Sequence, residues 1–188
     1  MGLDMYLRSE TYVPGWEHAS DEQKAKYRVI LEQIGLTAPI CEDAPSLTVR
    51  VTVAYWRKAN AIHQWFVAHV QGDKDECQVS YVSRDNLEEL LDTCKKVQAS
   101  FKLVPARAQN GYMLTEEGKR ERIIEDGEAI EDPSVAMELL PAQDGFFFGS
   151  TTYDQWYAGD VEGTVEKLER VLGNPALQGT DFYYQASW

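Results

Sequence analysis

The stretch from residue 55 to residue 66, YWRKANAIHQWF, concentrates two tryptophans, two cations, an amide and an imidazole. A helix over residues 57–70 would put its apolar side chains on one broad face, namely Ala61, Ile62, Trp65 and Phe66. Trp56, Asn60 and His63 line the adjacent face, which packing of the first face does not require. Arg57 could hold a carboxylate or phosphate with two hydrogen bonds, and an imidazole titrates near neutral pH. We therefore treat this edge as one wall of a candidate ligand site, against the alternative that its polar groups only satisfy nearby backbone.

A second wall is predicted from the stretches GFFFGSTTYDQWY and DFYYQASW. Tyr153, Asp154 and Tyr157 share a helical face, and Tyr184 could stack on a flat ligand such as a nucleobase. The alternative is that the aromatic side chains pack in the core and that the hydroxyl groups of Ser150, Thr151 and Thr152 cap a helix. The complete candidate ligand site is Trp56, Arg57, Asn60, His63, Tyr153, Asp154, Tyr157 and Tyr184.

Catalysis is the least favoured use of these residues. A general base at His63, oriented by Asp154, is the only enzymatic arrangement that the sequence suggests. A nucleophile pattern, a phosphate-binding loop and metal-ligand spacings are all missing from the sequence. We expect no catalytic residue, no cofactor and no metal.

The net charge of −13 is distributed unevenly along the chain. Residues 1–114 hold 15 acids and 13 bases, whereas residues 115–188 hold 16 acids and 5 bases. Such a field repels nucleic acid and attracts basic surfaces, so we expect a basic protein or nucleoprotein partner and no direct nucleic acid binding. The alternative is an acidic surface that only keeps the protein soluble. The candidate partner surface is Glu121, Glu125, Asp126 and Glu128.

Hydrophobic periodicity predicts an α+β fold in a single domain, residues 1–188, with several amphipathic helices on a mostly antiparallel sheet. Leu3, Met5 and Leu7 alternate with polar residues in a first strand, and residues 47–53 alternate in a second. Capping residues predict helices after Ser20 and Ser83. A second capping box is predicted at Thr152 with Gln155, before a helix that Gly159 would interrupt, and a short strand is predicted within residues 144–150.

Residues 104–132 contain three turn signals, at residues 110–111, 117–118 and 126–127, between short polar runs. This pattern predicts a protruding, charged loop or hairpin. Cys41, Cys77 and Cys94 are odd in number and widely spaced, which favours reduced thiols. Because no membrane-spanning or signal-peptide pattern occurs, we expect a cytoplasmic protein.

Four stretches in this order, MGLDMYL, YWRKANAIHQWF, GFFFGSTTYDQWY and DFYYQASW, resemble a family of small uncharacterised proteins of tailed bacteriophages and prophages. The resemblance extends over nearly the whole chain and implies expression in the bacterial host cytoplasm. By analogy with other small accessory phage proteins, it favours a non-enzymatic protein that inhibits a host factor, such as an anti-phage defence component, through its acidic surface. Sequestration of a nucleotide signal at the candidate ligand site is the main alternative, and an enzyme is the second.

Overall fold

The computed structural model describes residues 2–36, 43, 45–143 and 152–188. Its helices and antiparallel sheets confirm the α+β class. The predicted strand within residues 144–150, together with Cys41, Ser150 and Thr151, lies outside the described residues. The helices and strands follow the chain in this order: β1 Asp4–Pro14, α1 Asp21–Gln33, β2 Ser46–Arg57, α2 Asn60–His69, β3 Ser80–Val82, α3 Arg84–Ser100, β4 Leu103–Leu114, β5 Arg120–Ile130, α4 Ser134–Leu139, α5 Gln155–Leu172, a 3-10 helix Pro175–Leu177 and β6 Asp181–Ser187.

The main sheet has the strand order β2-β1-β6-β3, and all its pairings are antiparallel. Alternate residues of each strand point to the same side, and the side chains on one of the two faces are buried. Met5 and Leu7 of β1 and Phe182 and Tyr184 of β6 lie on this face, as their alternation predicts. They join apolar residues of α2, α3 and α5 in one hydrophobic core.

A bulge in β2 changes which of its residues face the core. The register with β1 shifts between Leu7 and Arg8, so that Val53 is an extra residue in β2. An inserted residue reverses the alternation beyond it. The predicted alternation holds to Val53, which packs against the core, and beyond the bulge Ala54 and Trp56 take the core positions.

The helix termini follow local signals with two exceptions. Ser20 forms the predicted capping box of α1, and Ser83 caps α3 as predicted, in a capping box with Asn86. The third predicted cap is wrong, since Asp154 and not Thr152 caps α5. The predicted interruption at Gly159 is also wrong, because α5 continues through it. A glycine within a helix costs only about 1 kcal/mol, which the buried apolar stripe of α5 outweighs.

Strands β4 and β5 form a separate two-stranded hairpin, which confirms the predicted protruding region. Only the signal at residues 117–118 makes the turn, where Gly118 has a φ of 75°. The signal at residues 110–111 is a bulge in β4, and the signal at residues 126–127 lies inside β5. A side chain at Gly127 would meet Gln155, because a Cβ there would lie 2.7 Å from Oε1 of Gln155.

Candidate functional site

Helix α2 presents its apolar face to the core, as the sequence predicts. Ala61, Ile62, Trp65 and Phe66 are all buried. The helix begins at Asn60, later than predicted, because Lys58 adopts a left-handed conformation with φ 62° between β2 and α2. The Lys58 backbone N–H donates to the Leu3 carbonyl at 2.8 Å, which fixes this junction against β1.

His63 lies inside this arrangement, and both of its ring nitrogens have partners. Its Nδ1 is 2.7 Å from the Tyr184 hydroxyl, and its Nε2 is 3.1 Å from Oδ2 of Asp75. An ionised carboxylate can only accept, so in the neutral imidazole Nε2 carries the hydrogen and Nδ1 accepts from Tyr184. Burial raises the pKa of the Tyr184 hydroxyl well above its ordinary value, so this group remains a donor. The relay from Asp75 to Tyr184 ties α2 to β6.

Asp75 is a partner of His63 that the sequence did not suggest. Gly72, Asp73 and Cys77 all have positive φ and fold the loop back towards α2. Besides His63, Asp75 accepts from the Trp188 indole N–H, at 3.1 Å to Oδ1. The prediction that Asp154 orients His63 is therefore wrong: Asp75 holds that place.

Trp56 is buried and binds α5, not the polar edge of α2. Its indole Nε1 donates to Thr164 Oγ1 at 2.9 Å, and that hydroxyl donates to the Asp160 carbonyl at 2.6 Å. The Trp56 ring meets Phe66 edge-on at 6.0 Å between centroids. The indole thus links β2 to α5 through a buried hydrogen bond.

Arg57 and Asn60 are on the outside of this junction. The Arg57 side chain is exposed, and its Nε is 3.9 Å from Oδ1 of Asp4 on β1. Asn60 is half-buried at the first residue of α2, where its backbone N–H donates to the Lys58 carbonyl. The bulge in β2 determines the position of Arg57, because it places residues 55 and 57 on the open face of the sheet.

Tyr153, Asp154 and Tyr157 form a second group, at the start of α5. Asp154 is buried and accepts from the backbone N–H groups of Trp156 and Tyr157, at 3.0 and 3.2 Å. The Tyr153 hydroxyl accepts from the Ala142 N–H at 3.1 Å. The Tyr157 hydroxyl donates to the Leu140 carbonyl at 2.7 Å, and burial raises its pKa. All three side chains thus bind local backbone around the helix N-terminus.

The eight predicted ligand-site residues therefore separate into groups with different partners. His63 contacts Tyr184, Trp56 contacts α5, and Tyr153, Asp154 and Tyr157 contact one another. Trp56, Tyr157 and Tyr184 are members of one continuous hydrophobic core. The contacts of these groups hold α2, α5 and β6 together.

Asp160 is a half-buried acid that sequence reasoning missed. Burial raises the pKa of its carboxyl to about 7, with a smaller raising effect from Asp154 and an opposing one from Lys167. Asp160 lies one helical turn before Thr164, on the stripe of α5 that faces β2, and this spacing is the sequence signal that would have identified it.

Among the described residues, no group of three or more His, Cys, Asp and Glu side chains could hold a metal ion, and no described helix is long and apolar enough to cross a membrane.

The four predicted acids of the partner surface all lie on β5 and are all exposed. Because strand side chains alternate, Glu121 and Glu125 point to one face of the hairpin while Asp126 and Glu128 point to the other. Glu125 accepts from the Asn110 amide at 2.8 Å, and Asp126 lies 4.0 Å from Arg107. The four acids are therefore not one patch but two small groups on opposite faces.

The hairpin also carries less net charge than its exposed acids suggest. Residues 103–130 contain six acids and four bases, so most of the acidic excess lies after the hairpin. Exposed apolar side chains accompany the acids, namely Tyr112, Met113 and Ile124. The surface of the hairpin is thus both acidic and apolar.

Comparison with protein-family models, curated proteins and solved structures finds no match to this chain.

Proposed function

We propose that this protein is a phage-encoded, non-enzymatic accessory protein that acts in the bacterial host cytoplasm. In this proposal it binds and inhibits a host factor with a basic surface, a component of an anti-phage defence system. The binding element is the β4–β5 hairpin. The observation that carries the proposal is that this hairpin is a separate sheet with exposed carboxylates on both of its faces.

A hairpin with two exposed faces can insert into a groove of its partner. A flat basic surface would meet either Glu121 and Glu125 or Asp126 and Glu128, whereas a groove lined with Lys and Arg on both walls would meet all four. Met113 and Ile124, which are 52% and 41% exposed, would supply the apolar contacts on which affinity mainly depends. The acids would then accelerate association and select the partner.

The hydrogen bonds inside the molecule support a surface mode of action. His63, Trp56, Asp154 and Tyr157 each use their polar atoms on partners within the chain. A nucleotide at this position would have to displace those partners and open the core. The phage origin is supported by the resemblance of four sequence stretches to phage and prophage proteins.

The test compares the full chain with a version whose hairpin is shortened. Ala108 and Glu125 face each other across the strands, so residues 109–124 can be replaced by Asn-Gly, which closes a two-residue turn. Expressed in a bacterium whose defence system restricts a phage, the full chain should restore plating of that phage, and the shortened chain should not. Purified shortened protein must still unfold in one cooperative transition in urea, which shows that the rest of the fold is intact.

A charge-matched pair of variants separates the hairpin from overall acidity. Reversal to lysine of Glu121, Glu125, Asp126 and Glu128 should abolish both rescue and capture of the host factor. The control reverses four exposed acids outside the hairpin, namely Glu138, Glu162, Glu166 and Glu169, and should retain both. Equal loss of rescue and capture in the two variants would show only a general effect of charge. Stabilisation of the fold by a nucleotide in a thermal shift screen would favour the ligand-binding alternative.

A further inference from the structure

The outer edge of β2 is a second feature that packing within the chain does not explain. In the described part of the chain, β2 is the terminal strand of the main sheet, with β1 on one side and no strand on the other. It is twelve residues long, whereas β3 at the opposite edge has only three. A long edge strand presents unpaired backbone N–H and C=O groups that another strand can pair with.

The composition of this edge favours an uncharged, extended partner. Between Ser46 and Thr52 the strand contains no acid, and its only charge is Arg50. The Arg50 Nε is 2.5 Å from Oε1 of Glu10, so this charge is already neutralised within the sheet. In a chain with a net charge of −13, such a segment is where two copies meet with little repulsion.

The edge also exposes an apolar side chain on the buried side of the sheet. Val51 lies opposite Ser9 of β1, which is buried, yet Val51 itself is 50% exposed. Its neighbours on that side, Leu47 and Val49, pack against the cluster formed by Val13, Tyr27 and Leu31. Val51 is thus the exposed member of an apolar row in β2, between the residues on this cluster and Val53, which packs against the main core.

We propose that β2 is a dimerisation edge, at which the segment Ser46–Thr52 pairs antiparallel with the same segment of a second copy about a two-fold axis at Val49. The bulge at Val53 limits regular pairing to this segment, and Val49 is its central residue. The axis places Val51 opposite Leu47 of the other copy and continues the apolar row across both subunits.

The same register keeps the two arginines apart. Arg50 of each copy faces Thr48 of the other on the open face of the sheet, so like charges are not directly opposed. A two-fold axis at Arg50 would bring the two guanidinium groups together, and an axis at Val51 would carry the pairing into the bulge. The axis at Val49 separates the two Arg50 side chains and keeps the bulge outside the paired segment.

Sedimentation equilibrium of the full chain, from about 1 μM to about 100 μM, tests the dimer. We expect twice the monomer mass of 21.4 kDa for the wild type and the monomer mass for Val51→Lys. The matched control is Val79→Lys, since Val79 is 47% exposed and lies outside β2; it should remain dimeric. A monomeric wild type, or a dimeric Val51→Lys with a native spectrum, would overturn the proposal.

Disulfide trapping tests the register. In a background with Cys41→Ser and Cys77→Ser, an equimolar mixture of Thr48→Cys and Arg50→Cys proteins should cross-link under mild oxidation. Either protein alone should cross-link several-fold less, because Thr48 faces Arg50 of the other copy and not itself. Equal cross-linking of Thr48→Cys alone and of the mixture would overturn the axis at Val49.

Discussion

His63 Nδ1 lies 2.7 Å from the hydroxyl of Tyr184, a residue 121 positions later in the chain. The ring of Tyr184 stacks on Phe66 at 3.9 Å between centroids, and its side chain is fully buried. This hydrogen bond joins the helix after β2 to the last strand of the sheet. It gives His63 a structural role that can be measured.

Tyr184→Phe should destabilise the fold by about 1–3 kcal/mol, because it leaves the buried Nδ1 of His63 without a donor while retaining the stacked ring. Urea unfolding followed by circular dichroism measures the loss. Tyr183→Phe, on the open face of the same strand, is the control and should stay within about 0.5 kcal/mol of wild type. Equal stability of the two variants would contradict a structural role for the hydroxyl.

Thr164→Val should cost about 1–3 kcal/mol, since it keeps the side-chain shape but leaves the buried Trp56 indole N–H unpaired. Thr48→Val, at an exposed position in β2, is the matched control with little expected effect. A double-mutant cycle with Trp56→Phe isolates the interaction, because the second substitution should cost less once the first is present. Strict additivity would show that the bond contributes nothing.

Asp154→Ala should destabilise the protein by about 1–2 kcal/mol, because the first N–H groups of α5 lose their acceptor. Asp154→Asn should restore most of this stability, since the amide oxygen can still accept from Trp156 and Tyr157. Glu166→Ala, which also removes one acid from α5 but at an exposed position, controls for charge. If Asp154→Asn were as damaging as Asp154→Ala, the carboxylate charge and not the cap would be the important property.

Asp160 should make stability fall as the pH rises. Its folded-state pKa of about 7 exceeds the ordinary aspartate pKa of 3.8, so the folded protein binds more protons than the unfolded chain between these two values. The free energy of unfolding therefore decreases from about pH 4 to about pH 7, by at most about 4 kcal/mol from this group, and then levels off.

Asp160→Asn should remove this slope and stabilise the protein at pH 8 relative to wild type. Urea unfolding at pH 5 and pH 8 measures the difference, with Glu162→Gln as the exposed-acid control on the same helix. The comparison with this control cancels the contribution of the remaining acids. A wild-type slope retained by Asp160→Asn would rule out a raised pKa of the Asp160 carboxyl as its cause.

Local sequence signals predicted those features whose causes lie within a few residues. Alternation correctly assigned the buried faces of β1 and β6, and the capping residues Ser20 and Ser83 marked the starts of two helices. The apolar face of α2 followed from helical spacing. The three pairs of turn residues included the turn at residues 117–118 but did not single it out, because Asn-Gly and Asp-Gly also fit a bulge and a close approach by Gln155.

By itself, the sequence determined the fold class, the protruding hairpin and most helix and strand faces, because periodicity and capping act over one or two turns or a single strand. Only the tertiary structure decided which partners the polar side chains bind. His63 meets Tyr184 and Trp56 meets Thr164, since the tertiary fold brings together segments more than a hundred residues apart, and the loop after α2 folds back to bring Asp75 to His63. The bulge at Val53 was likewise decided by pairing with β1, which no local pattern in β2 records.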